Sequence, residues 1–311
     1  MIVALVKRWE SMLALVLLLG FTLFSLTSPY FLSVDTLSDA TFNFTERALV
    51  ALPLALLIIA GEIDISVAGI IALASVAMGL AAEAGAGTAA VAAIGMGAGL
   101  AAGCINGVLV TFGRVPAIVA TIGTMTLFRG IAYAVLGDRV LKNYPDSFAV
   151  FGQGYLFGAV SIELALFFAL ALVAALFLHG TRWGRVVYAM GANPLATRFA
   201  GIAVDRYRFA LFALTGLASG MAAVLLTSRL GSTRPSIAQG WELEIISIVI
   251  LGGVSVWGGR GSILGVVLAA LVFGLVTFGL GLMNIPGIVM SIFTGALLIL
   301  VVAAPALVQR K

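Results

Sequence analysis

The sequence predicts an all-α protein that crosses a lipid bilayer about ten times, and three observations predict it. Hydrophobic residues fill 62% of the 311 positions and charged residues only 10%, where soluble domains carry about 25% charged residues. Mean hydropathy is +1.20. The apolar residues fall in long unbroken runs, near the ~20 residues a helix needs to cross hydrocarbon. A membrane β-barrel would instead show short alternating segments.

Taken in order, the runs place spans at 11–27, 46–61, 66–82, 88–112, 116–136, 161–179, 207–227, 243–257, 262–281 and 286–305. The first follows Lys7-Arg8 and has the look of a signal peptide, but it ends in Thr27-Ser28-Pro29-Tyr30 without a small-residue cleavage site, so it is expected to remain as a helix. Only Gly61-Glu62-Ile63-Asp64 separates the second and third spans. In the fourth, Gly95, Gly99 and Gly103 recur every four residues and line one helix face, while Gly97 lies off it. Such a stripe lets two helix backbones approach closely in lipid. The fifth contains Arg129, about 20 Å along the helix from Val115, where snorkelling or an acidic partner is expected. The eighth is short. Segments 28–45 and 137–160 lie on one side, the second expected to hold a short surface helix, and 180–206 lies on the other. No aqueous domain stands apart, so residues 1–311 form a single transmembrane domain.

Basic residues cluster in cytoplasmic loops of membrane proteins. With the N-terminus inside, the inner side collects Lys7, Arg8, Arg114, Arg182, Arg185, Arg198, Arg206, Arg208, Arg260, Arg310 and Lys311, which is 11 of the 17 Lys and Arg. The outer side holds Arg47, Arg139, Lys142, Arg229 and Arg234. Both termini are therefore expected in the cytoplasm.

Several chemistries are excluded. Cys104 is the only cysteine, so no internal disulfide forms, and with His179 the only histidine there is no Cys/His metal site. His179, beside Gly180, reads as an interfacial residue. No nucleophile–base constellation marks an enzyme, and no cofactor or nucleic-acid partner is implied. The phosphate loop G-x-x-x-x-G-K-[ST] is absent. If the chain moves a solute uphill, the energy comes from a partner or an ion gradient.

Three segments stand out. In the inner loop, Asn193-Pro194 can start a helix, with Asn193 as the cap and Pro194 in the first turn. It would stop at Gly201 and turn Leu195, Phe199 and Ile202 to one side. Such a helix either docks into a partner's groove or rests on lipid headgroups with Arg198 snorkelling. Glu62 and Asp64 carry charge that is costly at mid-bilayer, at least about 3 kcal/mol. They lie near the inner interface or face a cavity. Asp64 could cap the helix that begins near Ser66, contact cargo or a gate, or serve as a proton relay. Glu242 and Glu244 on the outer side either receive a docking protein's basic residues or form a solvated lead into a helix. Polar and aromatic candidates for contacting a solute are Asn106, Thr121, Thr124, Thr126, Phe128, Tyr133, Ser247 and Phe278.

Four motifs in order carry a family resemblance over roughly residues 45–305. Gly184-Arg185-Val186-Val187-Tyr188-Ala189-Met190-Gly191-Ala192-Asn193, running on to Gly201-Ile202, resembles the coupling loop of permease subunits in ribose-type (monosaccharide) bacterial ABC importers. Gly61-Glu62-Ile63-Asp64-Ile65-Ser66-Val67 is similar to that family's Gly-Gly-Ile-Asp-Leu-Ser-Val. Val115-Pro116-Ala117-Ile118-Val119-Ala120-Thr121 through Met125, with Arg129-Gly130, and Leu251-Gly252-Gly253-Val254-Ser255 with Gly258-Gly259-Arg260-Gly261-Ser262 match two more. Glu62 in place of a glycine, Gly69 one position late and Thr197 in place of an alanine point to a sub-branch, such as permeases for rhamnose-like deoxyhexoses or a furanose-like autoinducer.

The resemblance implies a non-catalytic permease of the inner membrane with the ten-helix type II importer fold. A second permease, identical or related, completes the pore. A partner ATPase subunit binds the ATP and docks on the loop 180–206 through Gly184, Arg185, Tyr188, Gly191, Asn193, Pro194, Leu195, Phe199 and Gly201. A periplasmic sugar-binding protein delivers the cargo. The rival reading is an ion-coupled secondary transporter working through Asp64 or Glu62.

Overall fold

Backbone in lipid has no water to bond, so it closes its hydrogen bonds within helices. The computed structural model describes residues 9–283 together with 285, 286, 289, 292, 295 and 296. It is almost wholly helical: α1 Trp9–Thr27, α2 Val34–Thr41, α3 Thr45–Ile59, α4 Val67–Glu83, α5 Thr88–Thr111, α6 Ala117–Leu136, α7 Val150–Gln153, α8 Ile162–Gly180, α9 Arg182–Ala192, α10 Pro194–Phe199, α11 Val204–Leu230, α12 Trp241–Leu251 and α13 Ile263–Leu282. One antiparallel pair, β1 Tyr155–Leu156 with β2 Val160–Ser161, forms a small hairpin.

Six of these helices are long and apolar enough to span a membrane: α1, α5, α6, α8, α11 and α13. α2 and α3, bent by 45° at their junction, make a seventh if counted as one span. α4 and α12 are shorter, with 17 and 11 residues. Each of the first nine expected spans contains one helix, while the tenth, 286–305, falls largely outside the described residues. The count of ten is therefore not what the helices give by length. The largest departure is the eighth span, which ends at Leu251 rather than 257. Gly253 and Gly258 there take φ of 82° and 80°, turning the chain where hydropathy alone reads on through Val254 and Val256.

Helix α3 is the axis of the core, with every residue except Arg47 buried. A helix apolar all round belongs in the interior, and Pro53 within it is tolerated because neighbours enclose the broken ladder. Against it lies α11, whose other side meets α5. Here the glycine stripe does what its spacing predicts. A Cβ added at Gly99 would sit 2.5 Å from Gly216 O, and one at Gly103 2.5 Å from Phe212 O. Gly97 has nothing within 4 Å. Helix α1 rides on the outside along α13, with Trp9 Nε1 donating to Leu251 O at 2.7 Å.

Long-range bonds define the two ends of the bundle. One end gathers the 60–66 turn, α9–α10 and the 252–262 turn, and carries Arg114, Arg182, Arg185, Arg198, Arg206, Arg208 and Arg260; it is called the basic end here. At the other, the expected surface helix is a single 3-10 turn, Asp146–Ala149, running into α7. Leu141 and Thr233 exchange backbone hydrogen bonds of 3.0 and 2.8 Å there, Thr41 Oγ1 meets Ser161 Oγ at 2.7 Å, and Glu46 pairs with Arg229 at 2.7 Å.

Candidate functional site

At the basic end the predicted short helix is present. Asn193 Oδ1 accepts from the Ala196 N–H at 2.9 Å, Pro194 takes the first turn, and Gly201 follows the end with φ of 81°. Leu195 and Phe199 stand 62% and 85% exposed, Thr197 points inward, and Ile202 is half-buried. Arg198 forms an ion pair with Asp205. Sequence reasoning missed α9, which occupies the first half of the loop. Thr181 caps it by accepting from the Gly184 N–H, and Val187 and Met190 bury its inner face. The cap and this apolar spacing were the signals. Arg185 is exposed on its outer side.

This two-helix segment is seated on glycine. A Cβ at Gly191 would overlap Ile59 O and Gly259 N, and one at Gly184 would overlap Leu178 O. Around the same point Gly259 N donates to Ile59 O at 2.8 Å, and the Tyr188 hydroxyl donates to Gly261 O at 2.7 Å. Gly61 lies against Gly191 and Gly258. At Gly191 the end of α9 thus meets the end of α3 and the 252–262 turn backbone to backbone, with no side chain at that point to absorb a displacement.

The acidic turn begins at this contact. Glu62 is paired with Arg208 at 2.8 Å, and burial raises its pKa while Arg208 opposes the rise. Asp64 is fully buried. Its Oδ1 accepts from Ser66 N–H at 2.8 Å and from Ser66 Oγ at 2.6 Å, and Asn106 Nδ2 donates to Ser66 Oγ at 2.7 Å. Asp64 therefore occupies the N-terminal end of α4, where the helix dipole favours an anion. Burial still raises its pKa against these bonds. A cavity of about 480 Å³ opens beside the turn, with Glu62, Arg114, Arg198 and Arg208 in its walls.

At the opposite end the chain from Gly231 to Gly240 folds into the bundle. Thr233 Oγ1 bonds Ser75 Oγ and the Tyr144 hydroxyl at 2.7 and 2.6 Å. Arg129 neither snorkels nor pairs with an acid. It donates to the carbonyls of Pro235 and Ile237 at 2.9 and 2.6 Å, in the non-helical stretch before α12, and to Ala68 O in the first turn of α4 at 3.1 Å. Glu244 is paired with Arg47 at 2.9 Å, and Arg47 also lies over the Trp241 ring, 4.4 Å from its centre. Glu242 lines a second cavity, beside Arg129, Thr126 and Tyr133. Of the other solute candidates, Thr121, Thr124, Phe128 and Ser247 are buried, as is Asn106 beside Asp64, and Phe278 is half-buried against Phe31. The buried carboxylates of Glu46 and Glu163, with half-buried Arg229 paired to Glu46, escaped sequence reasoning altogether. Among the described residues no group of His, Cys, Asp and Glu side chains comes together to hold a metal.

Comparison with known proteins decides the class. Residues 37–302 match the family described as branched-chain amino acid transport system, permease component. The chain belongs to that permease family. It is similar to the autoinducer 2 import system permease protein LsrD of Klebsiella pneumoniae, 35% identical over 306 residues, covering 96% of this chain and 92% of that one. It is 36% identical over 300 residues to the LsrD protein of Yersinia enterocolitica, covering 94% and 90%. It is 35% identical to that of Escherichia coli K12, covering 94% and 91%. No solved structure matches. The family resemblance read from the four motifs holds: this is a multi-pass membrane permease, a transport component and not an enzyme.

Proposed function

We propose that this chain is a permease subunit of an ATP-driven importer whose cargo is autoinducer 2 or a closely similar furanose-like sugar. The observation that carries the reading is the seating of α9 and α10, an exposed amphipathic device packed through glycine backbone against the turn that bears Glu62 and Asp64. A partner ATPase docks on Leu195 and Phe199, with Arg185 at the rim, and Gly184, Tyr188, Gly191, Asn193, Pro194 and Gly201 hold the segment in shape. When the ATPase halves close on ATP, they push this segment, and contact at Gly191 passes the movement to the 60–66 turn. The Glu62–Arg208 pair and the Asp64–Ser66–Asn106 cluster then act as the gate that yields. The basic end faces the cytoplasm, as the basic-residue excess favours, with both chain termini there and ten spans in all. The binding protein meets the opposite end, where Glu242 and Glu244 stand, and a second permease completes the pore.

The relatives support the cargo, since they are autoinducer 2 import system permease proteins. An ion-coupled mechanism is not favoured: Asp64 is bonded by Ser66 and Asn106, and Glu62 is held by Arg208. The test is uptake of labelled autoinducer 2 into vesicles containing the chain with its ATPase, second permease and binding protein. ATP-dependent uptake is expected. Uptake by the chain alone, driven by a proton gradient, would overturn the proposal.

A further inference from the structure

The cavity beside Arg129 has a chemistry that neither the docking segment nor the acidic turn explains. It measures about 350 Å³, within the size range of small-molecule sites. It lies between α6, which supplies Thr126, Arg129, Gly130 and Tyr133, and the start of α12, which supplies Glu242, with Gln239 just before it. The second wall is the irregular segment 231–240 running into an 11-residue half-helix. Non-helical backbone at membrane depth survives where it is buried or lines a cavity, and interrupted helices of this kind frame solute sites in transport proteins.

The groups around the cavity are spread rather than paired. Among the described residues no ion pair joins Arg129 to Glu242. Arg129 spends three N–H donors on carbonyls, which fixes the guanidinium and leaves two of its five free. Glu242 offers only acceptors, Gln239 and Tyr133 offer both kinds, and the Thr126 hydroxyl, donating to Ile122 O, keeps its lone pairs. One positive and one negative charge cancel, so no net field selects an ion. Single donors and acceptors at separated points, beside a half-exposed aromatic ring, suit a compact neutral ring bearing several hydroxyls. A Cβ built on Gly130 meets nothing within 4 Å, so the floor of the cavity is open.

We propose that this cavity is the transit site for the cargo inside the permease, binding one neutral polyhydroxylated ring of monosaccharide size through Glu242, Gln239, Arg129 and Tyr133. The proposal rests on the importer reading above.

The assembled importer in ATP-loaded proteoliposomes tests it, with autoinducer 2 as the probe. Glu242→Gln is expected to raise the half-saturating concentration at least ten-fold, and Gly130→Leu, which fills the cavity, to cut uptake at least ten-fold, with both variants still co-purifying with the ATPase. Because a bulky substitution can disturb folding, a third variant reads the site directly. Thr126→Cys in a Cys104→Ser background is labelled by a maleimide during turnover. Saturating autoinducer 2 is expected to slow that labelling at least three-fold, and to leave labelling of Leu127→Cys on the neighbouring face unchanged. Normal wild-type uptake with unprotected Thr126→Cys, and with Glu242→Gln and Gly130→Leu within two-fold of wild type, overturns the cavity proposal alone. Wild-type liposomes that take up no autoinducer 2 overturn the importer reading together with it.

Discussion

Replacing Gly191 with alanine is the sharpest test of how the two-helix segment is joined to the turn that bears Glu62 and Asp64. The new methyl would overlap Ile59 O and Gly259 N and lie 3.0 Å from Ile59 C. Ordinary van der Waals separation is about 3.5 Å or more, so α9 must lift off its seat. That lift breaks the 2.7 Å bond from the Tyr188 hydroxyl to Gly261 O, a net loss of about 1 kcal/mol. Overpacking a closed contact adds about 1–3 kcal/mol. The total of about 2–4 kcal/mol shifts the seated population roughly thirty-fold to several-hundred-fold. The assay is ATP-driven uptake of autoinducer 2 by the assembled importer, alongside membrane insertion measured by fractionation. Uptake is expected to fall at least ten-fold with insertion intact, and Gly191→Asp to abolish it. Gly97→Ala, where nothing lies within 4 Å, is the silent control. Gly191→Ala importing at more than half the wild-type rate would show that the contact transmits nothing.

Other expectations are independent of that contact. Gly99→Leu forces α5 from α11 and is expected to cost about 1–3 kcal/mol, read as a lowered thermal midpoint in detergent that Gly97→Leu does not produce. Asn193→Ala removes the cap of α10 for about 1 kcal/mol; reduced uptake is expected, restored by Asn193→Asp. Arg229→Met strands the fully buried Glu46 and is expected to cost about 3–5 kcal/mol, with Glu46→Gln in the same chain recovering most of the loss. Burial raises the Glu62 pKa above its ordinary 4.5, so the folded chain keeps that proton where the unfolded chain has released it. The Glu62 contribution to stability is thus full below pH 4.5 and declines as pH rises through the raised value. Unfolding midpoints measured across that interval are expected to flatten in Glu62→Gln.

What was legible in the sequence was local or periodic. The apolar runs located nine helices because each of them is surrounded by hydrocarbon or by the core, and either demands apolar side chains along its length. The cap of α10 needed only Asn193-Pro194 and Gly201, three residues acting on their own neighbours. The glycine stripe on α5 carried its helical period openly. What was hidden depends on pairs far apart in the chain. Glu62 and Arg208 meet only because α4 and α11 are neighbours, and no spacing rule joins them. Arg129 was expected to find an acid or the interface, because nothing in residues 231–240 announces backbone that would need its donors. The turn after Leu251 misled for a different reason: Val254, Val256 and Trp257 read as membrane-compatible, while the glycines that bend the chain contribute nothing to hydropathy.

The close seam between α5 and α11 also sets a timetable for synthesis. Gly99 is made roughly 120 residues before Gly216, and at about 5–20 residues per second the groove on α5 waits on the order of ten seconds for its occupant. During that interval lipid tails fill a notch shaped for another backbone, and small residues spaced by four can join two like helices just as well. A nascent or truncated chain ending after α6 therefore exposes a self-complementary surface that the finished protein hides.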